Sequence, residues 1–381
     1  MEDREIYELA DELLGTLTRE LGSGIYAQLG GELSIRWDPL PVFGAYASSR
    51  GAIDEPPQHC ITIHYAFVRQ MWRDAENFCQ FLNSIPAGSG VDKLYDFYGD
   101  RAKLPSCFSE EEQIRNLFAA ALTWVYFHEV GHLMQEHGYI RALHGLNHSQ
   151  QSSDVHEFDA SGKEPLSGRA AVVSHVTELA ADFEATYFYV TELIRHIMDP
   201  EFVSAEKRAE VFSGLVYLMI CALSIVFYRF NGSVPPVLST TPQGSHPDPL
   251  TRLEINVPHI FETLDIPALR QHIGHTLDRR DLVHLSGKAG LSVALYWSMT
   301  KTVEKRFDDR FLIRGILSRP EVLQYLQPIA ESWDEILPEI KTIRRFGHSL
   351  GLLTFAKQFR ERIDKVIPWG EGPEANPTWN A

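Results

Sequence analysis

Basic residues are in short supply. Lys and Arg total 35 against 51 Asp and Glu, for a formal net charge of -16 and a pI near 5.4. Nonspecific binding to phosphate backbones or anionic lipid needs a basic surface, so no nucleic-acid partner is expected. Cysteine is also scarce. Cys60, Cys79, Cys107 and Cys221 follow neither a metal-binding nor a disulfide-framework spacing, and read as reduced thiols of a cytoplasmic protein. The first 21 residues, MEDREIYELADELLGTLTREL, lack the basic start and apolar core of a signal peptide and form an amphipathic pattern instead. Internal repeats are absent. Only one hydrophobic run, Val211 to Phe227, approaches the length of a bilayer span. Ser213, Gly214 and Ser224 interrupt it, and a buried core helix has the same composition.

The remaining pattern predicts an α+β chain that is mostly helical. After the N-terminal helix come three strand-like runs, GELSIRW, VFGAYA and CITIHY, with the turn-rich SSRGAIDEPPQ between the last two. FVRQMWRDAENFCQFL has helical periodicity. FSEEEQIRNLFAAALTWVYFHEVGHLMQEHG is the best-marked helix: Ser109 and Glu112 form a capping box, and Gly138 is the expected stop. A polar segment from His144 to Gly168 is long for a connection and reads as a lid or a disordered loop. VVSHVTELAADFEATYFYVTELIRHI is the next long helix. The pattern from Ile260 to about Ile367 is helical again, with PWGEGPEANPTWNA as a frayed tail. Residues 1–258 are expected to form one domain and 259–381 a C-terminal helical region.

The chemistry concentrates in HEVGH. Positions four apart on an α-helix differ by about 40° around the axis, so His128 and His132 point the same way and can share an ion. Glu129 lies beside them, placed to act as a general base. This is the H-E-x-x-H arrangement, and Zn2+ is the expected ion. Two buried histidines satisfied by hydrogen bonds are the plain alternative.

A catalytic zinc takes three protein ligands and keeps one open position. His137, Cys107, His175 and Glu178 compete for the third place. His137 falls on about the opposite side of a continuous helix and reads as an ordinary helix-end residue. The third histidine of H-E-x-x-H-x-x-G-x-x-H is absent, because Gln135 holds the glycine position and Gly138 the histidine position. Cys107 lies just before the helix begins, several turns from the two histidines. Glu178 is favoured: it shares a helix face with Asp182, which can accept a hydrogen bond from the non-ligating nitrogen of His128. Ala180 and Ala181 allow two helices to approach closely there. His175 is the reserve ligand.

HEVGH, ELAAD and SHPDPLTRL occur in that order. The sequence thereby resembles the gluzincin zinc metallopeptidases, a group that includes thermolysin and the HtpX and CAAX-protease relatives. The resemblance spans about residues 42–253. In order and solubility it is nearer to compact members such as the Lit phage-exclusion or ImmA-type regulatory peptidases. It implies a zincin-like core with His128, His132 and Glu178 as zinc ligands, Glu129 as catalytic base and Asp182 behind His128. It also implies that His246 and Arg252, with Pro247, form an H-P-x-x-x-x-R element that returns to the site, stabilising the transition state or bracing the Glu178 helix. His246 and Arg252 can serve that site only if Val211–Phe227 does not cross a membrane.

The implied function is hydrolysis of peptide bonds in a protein or peptide substrate, with a regulatory or phage-defence role. CITIHY could pair with an extended substrate, or be an ordinary interior strand. Two alternatives use the same residues: a regulatory or interaction protein with a structural or vestigial zinc site, and a zinc hydrolase of a non-peptide amide. IRRFGHSLG and ATYFYV carry no chemistry on this reading. The first is an exposed helix face and turn, and the second is core.

Overall fold

The computed structural model describes residues 1–99, 103–144, 155–156, 166–232, 239–273, 277–301 and 319–365. Most of the 144–168 loop, part of the Pro- and Gly-rich connection and the C-terminal tail therefore lie outside the described residues. Helices of eight or more residues are numbered here in chain order.

Helix α1 (Asp3–Leu21) is followed by a four-stranded sheet of order β1-β3-β2-β4. Strand β1 (Glu32–Asp38) runs parallel to β3 (Gln58–His64), and β2 (Ala45–Arg50) runs antiparallel to it. Ile35 and Ala47 flank Ile61 on its two sides. The two-residue β4 (Val155–His156) adds to the free edge of β2. CITIHY is thus an interior strand with both edges occupied, and backbone pairing with a substrate is closed to it. The expected strand VFGAYA is shifted: β2 starts at Ala45 and absorbs Ser48, Ser49 and Arg50 from the predicted turn.

The other long elements of the described residues are helices: α2 (Tyr65–Ser84), α3 (Glu110–Met134), α4 (His137–His144), α5 (Gly168–Met198), α6 (Arg208–Asn231), α7 (Pro249–Leu264), α8 (Arg279–Thr300), α9 (Pro320–Ile343) and α10 (Lys357–Lys365). The chain is α+β and mostly helical, with a small N-terminal sheet, as its pattern predicts. Helix α3 is the axis of the fold. The Ser109–Glu112 capping box starts it, and every residue from Ala120 to His137 is buried. A helix apolar on all faces needs neighbours on all sides, and α5, α6 and α2 supply them, with β2 across one end. Helix α6 contains the long apolar run. It is long and apolar enough to cross a membrane, but 83% of its apolar window is buried, against α3, α7 and α8. The boundary expected after residue 258 falls inside α7, and α9 packs on α5.

Helix α3 stops four residues before Gly138. Gln135 caps it, Glu136 takes a left-handed conformation (φ 52°), and Gly138 lies within the next helix, α4. Farther back, α3 and α5 touch at Gly131: a Cβ there would lie 3.0 Å from the Ala181 carbonyl oxygen and 3.2 Å from its Cα. Gly131→Val must push the two helices apart, and overpacking of this kind costs about 1–3 kcal/mol. The metal-free variant is expected to unfold at lower urea. Gly90→Ala, where an added Cβ meets nothing within 4 Å, should stay within about 0.5 kcal/mol of wild type.

Candidate metal centre

Helix periodicity puts His128 and His132 on one face of α3, and the close contact at Gly131 brings α5 against that face. The two imidazoles meet edge to face with Nε2 atoms 3.0 Å apart. Glu178 of α5 completes the group, with Oε2 3.4 Å from His128 Nε2 and Oε1 3.3 Å from His132 Nε2. Among the described residues this is the one group of three such side chains close enough to hold a metal ion.

The donor set fits zinc. A tetrahedral ion about 2.0–2.1 Å from each donor separates the donors by about 3.3 Å, close to the three observed spacings. Two imidazole nitrogens with a carboxylate oxygen are a zinc-type combination. Glu178 Oε2 is buried without a hydrogen-bond partner, 3.4 Å from both His128 Nε2 and Arg252 Nη2. The group could therefore hold a metal ion.

Behind the donors sits a layer of anchors. His128 Nδ1 is 2.9 Å from Asp182 Oδ1, and Arg252 grips Asp182 with both ends of its fork, Nε to Oδ2 at 2.9 Å and Nη2 to Oδ1 at 2.7 Å. Arg252 is 2% exposed and lies over the Phe227 ring. Arg141 of α4 donates to Glu178 Oε1 at 2.6 Å and to Thr177 Oγ1 at 2.7 Å. His246 stands on the outer side. Its Nδ1 pairs with Ser245 Oγ at 2.8 Å, and its Nε2, 3.6 Å from Glu178 Oε1, has no hydrogen-bond partner. The His246 side chain is 17% exposed, whereas His128, His132 and Glu178 are 0–1% exposed. Glu129, 1% exposed, is next to His128 on α3.

The electrostatics follow from burial of these charges. For His128, burial opposes the charged form, but Asp182 and Glu178 outweigh it and raise its pKa to about 10. His132 goes the other way, to about 3: burial dominates, Glu178 opposes it, and the charges of His128 and Arg141 add to it. Burial would raise Glu178 as well, but His246, His132 and His128 hold it well below the usual carboxylate range. Asp182 is likewise lowered against burial, by Arg252 and then His128. With every imidazole neutral, as when a cation has displaced the His128 proton, three carboxylates (Glu129, Glu178, Asp182) against two guanidiniums (Arg141, Arg252) leave one negative charge.

The structure thus brings together His128, His132, Glu178, Asp182, His246 and Arg252. Cys107 is elsewhere, with its Sγ 3.8 Å from the Glu210 carbonyl oxygen. His175 pairs with Tyr325 and the Gly244 carbonyl and is not in the ligand group. His137 overturns its reading as an ordinary helix-end residue. The left-handed Glu136 turns the chain back, and His137, fully buried, places Nδ1 2.9 Å from His132 Nδ1. The two arginines of IRRFGHSLG are not simply exposed either: Arg344 reaches buried Glu184, and Arg345 reaches Glu136 at the end of α3. Sequence reasoning misses Arg141 altogether. Its position 13 residues after His128 has no fixed direction across the α3–α4 turn.

Comparison of the chain with protein-family models, with curated proteins and with solved structures finds no match.

The raised pKa of His128 sets a sign for metal binding. At neutral pH the metal-free site holds a proton that a cation must displace, so affinity should rise with pH from neutrality towards about 10. We expect about one proton released per ion bound at pH 7, read by calorimetry in two buffers of different ionisation enthalpy. Asp182→Asn should reduce that release and weaken binding about 10- to 100-fold. Unchanged release in the variant would show that Asp182 does not hold the proton on His128.

Proposed function

We propose that this chain is a zinc-dependent metallopeptidase of gluzincin type, cutting peptide bonds in a protein or peptide substrate. The observation that carries the reading is the convergence of both HEVGH histidines with Glu178, one turn before the Asp182 that backs His128. His128, His132 and Glu178 would hold the ion, which when bound acidifies water and polarises a carbonyl. Glu129 is the base that takes the proton from the attacking water and returns it to the leaving amine. His246 is the donor to the developing oxyanion, because its buried Nε2, 3.6 Å from Glu178 Oε1, is without a hydrogen-bond partner and its side chain is more exposed than those of His128, His132 and Glu178. Arg252, tied to Asp182 on both nitrogens, is a brace for the α5 ligands.

One observation favours a second reading. If His246 Nε2, 3.6 Å from Glu178, were a fourth ligand, the shell would be closed and the zinc structural, as in a regulatory or interaction protein. Against this, His246 lies outside the group whose donor atoms all come within 4.8 Å of one another, and a structural site has no use for Glu129.

Elemental analysis and a peptide-cleavage screen separate the readings. Wild type and Glu129→Gln should each carry one zinc, Glu178→Ala should lose it, and Glu129→Gln should lose about 10²- to 10⁴-fold in cleavage rate. His246→Ala should keep its zinc with wild-type affinity while cleaving more slowly. Loss of zinc in His246→Ala would favour the structural site, and absence of zinc from reconstituted wild type would end both readings.

A further inference from the structure

The second ligand histidine has its own anchor, built from parts that lie far apart in the chain. With His132 Nε2 facing His128 and Glu178, the ring proton belongs on Nδ1, which donates to His137 Nδ1 at 2.9 Å. His137 then carries its proton on Nε2, 3.3 Å from Gln135 Oε1. Gln135 Nε2 donates to Glu184 Oε2 at 2.5 Å and to the Ala180 carbonyl at 3.3 Å. Glu184 Oε1 accepts from Arg344 Nη2 at 2.9 Å. The directions follow from the ionised Glu184 carboxylate, which only accepts: Arg344 donates to it from one side and Gln135 Nε2 from the other, leaving Gln135 Oε1 as the acceptor for His137.

All but the last member are buried: Gln135, His137 and Glu184 at 0% and His132 at 2%, while Arg344 at the end of the series is partly buried, its side chain 10% exposed. Between His132 and Glu184 burial is complete enough that a break leaves a buried donor or acceptor unmet. Gly347 supports the end of the series. It has φ 119°, and a Cβ there would collide with both the Arg344 guanidinium and the Glu184 carboxylate.

We infer that Arg344, acting through Glu184, Gln135 and His137, is a positioning residue for the metal ligand His132, so that the C-terminal segment after α9 is part of the metal centre. The inference rests on the metal-binding reading and is independent of the reaction catalysed. The two adjacent arginines then divide the work. Arg344 braces the Glu184 end of the series behind His132, while Arg345 ties the same segment to the end of α3 through Glu136 and the Met134 carbonyl.

The experiment measures zinc affinity of the full chain by competition with a chromophoric chelator, and the visible spectrum of the Co2+-loaded protein. Arg344→Met should weaken zinc binding about 10- to 100-fold and alter the Co2+ bands. Glu184→Gln, nearly isosteric and safer for folding, should shift both readouts in the same direction. Arg344→Lys, which restores a donor to Glu184, should recover most of the affinity. Ile336→Ala loosens α9 at a fully buried position away from the series. It should lower stability but leave affinity within twofold and the Co2+ spectrum unchanged. Wild-type affinity and spectrum in both Arg344→Met and Glu184→Gln would overturn the inference, as would equal weakening by Ile336→Ala. Failure of wild type to take up zinc would remove the metal-binding reading itself, and with it this inference. That outcome is distinct because it appears before any variant is compared.

Discussion

A carboxylate with no exposure to solvent, Glu178, sets the terms for the surrounding structure. An isolated buried charge is among the most costly features a core can contain. Here two imidazoles face it, and guanidiniums from two other helices, Arg141 on α4 and Arg252 on α7, lie within 3.4 Å. Asp182, one turn on, repeats the problem and is met by the same Arg252. Four helices must therefore be placed correctly for one small cluster of charge to be tolerated. Removing any single member exposes the remaining ones to an uncompensated interior.

The backbone arranges this with small residues and one sharp turn. Glycine at 131 opposite alanine at 181 lets α3 and α5 approach until their side chains share a single space, which larger residues would keep open. Glu136 in a left-handed conformation reverses the chain directly after the ligands, so that His137 faces His132 and Arg141 reaches Glu178 from the next helix. The apolar helix α6 belongs to the same scheme. Phe227 provides the ring under Arg252, and Trp124 stacks on His128 while donating to Thr186 of α5.

These mechanisms explain what could be read in advance. HEVGH, ELAAD and the Ser109–Glu112 cap are local patterns whose geometry is set by helix periodicity, and HPDPLTR follows them in order. The helical character and the small sheet are legible from periodicity for the same reason. The end of α3 is not. A left-handed glutamate has no sequence signal comparable to a glycine, so periodicity carries the helix on to Gly138 and puts His137 on the wrong side. Arg344 and Arg345 are illegible for a different reason: their partners are 160 and 209 residues away, and a pair of arginines beside a glycine looks like any solvated turn. CITIHY fails as a substrate strand because alternation cannot reveal whether an edge is free.

The two imidazoles are anchored unequally, and the difference has an electrostatic meaning. His128 leans on a carboxylate, Asp182, which strengthens it as a donor. His132 leans on neutral His137, and the charge that orients it lies beyond Gln135 on Glu184, itself matched by Arg344. Were a carboxylate in the place of His137, the site would carry two net negative charges and a divalent cation would cancel them. With His137 it carries one when the imidazoles are neutral, so a divalent cation leaves a positive excess among buried side chains. That excess suits a reaction in which negative charge develops on a carbonyl oxygen, and it gives nothing to a site whose purpose is only to hold helices together. Under the proposed peptidase reading, the neutral second anchor is what leaves that excess for the reaction.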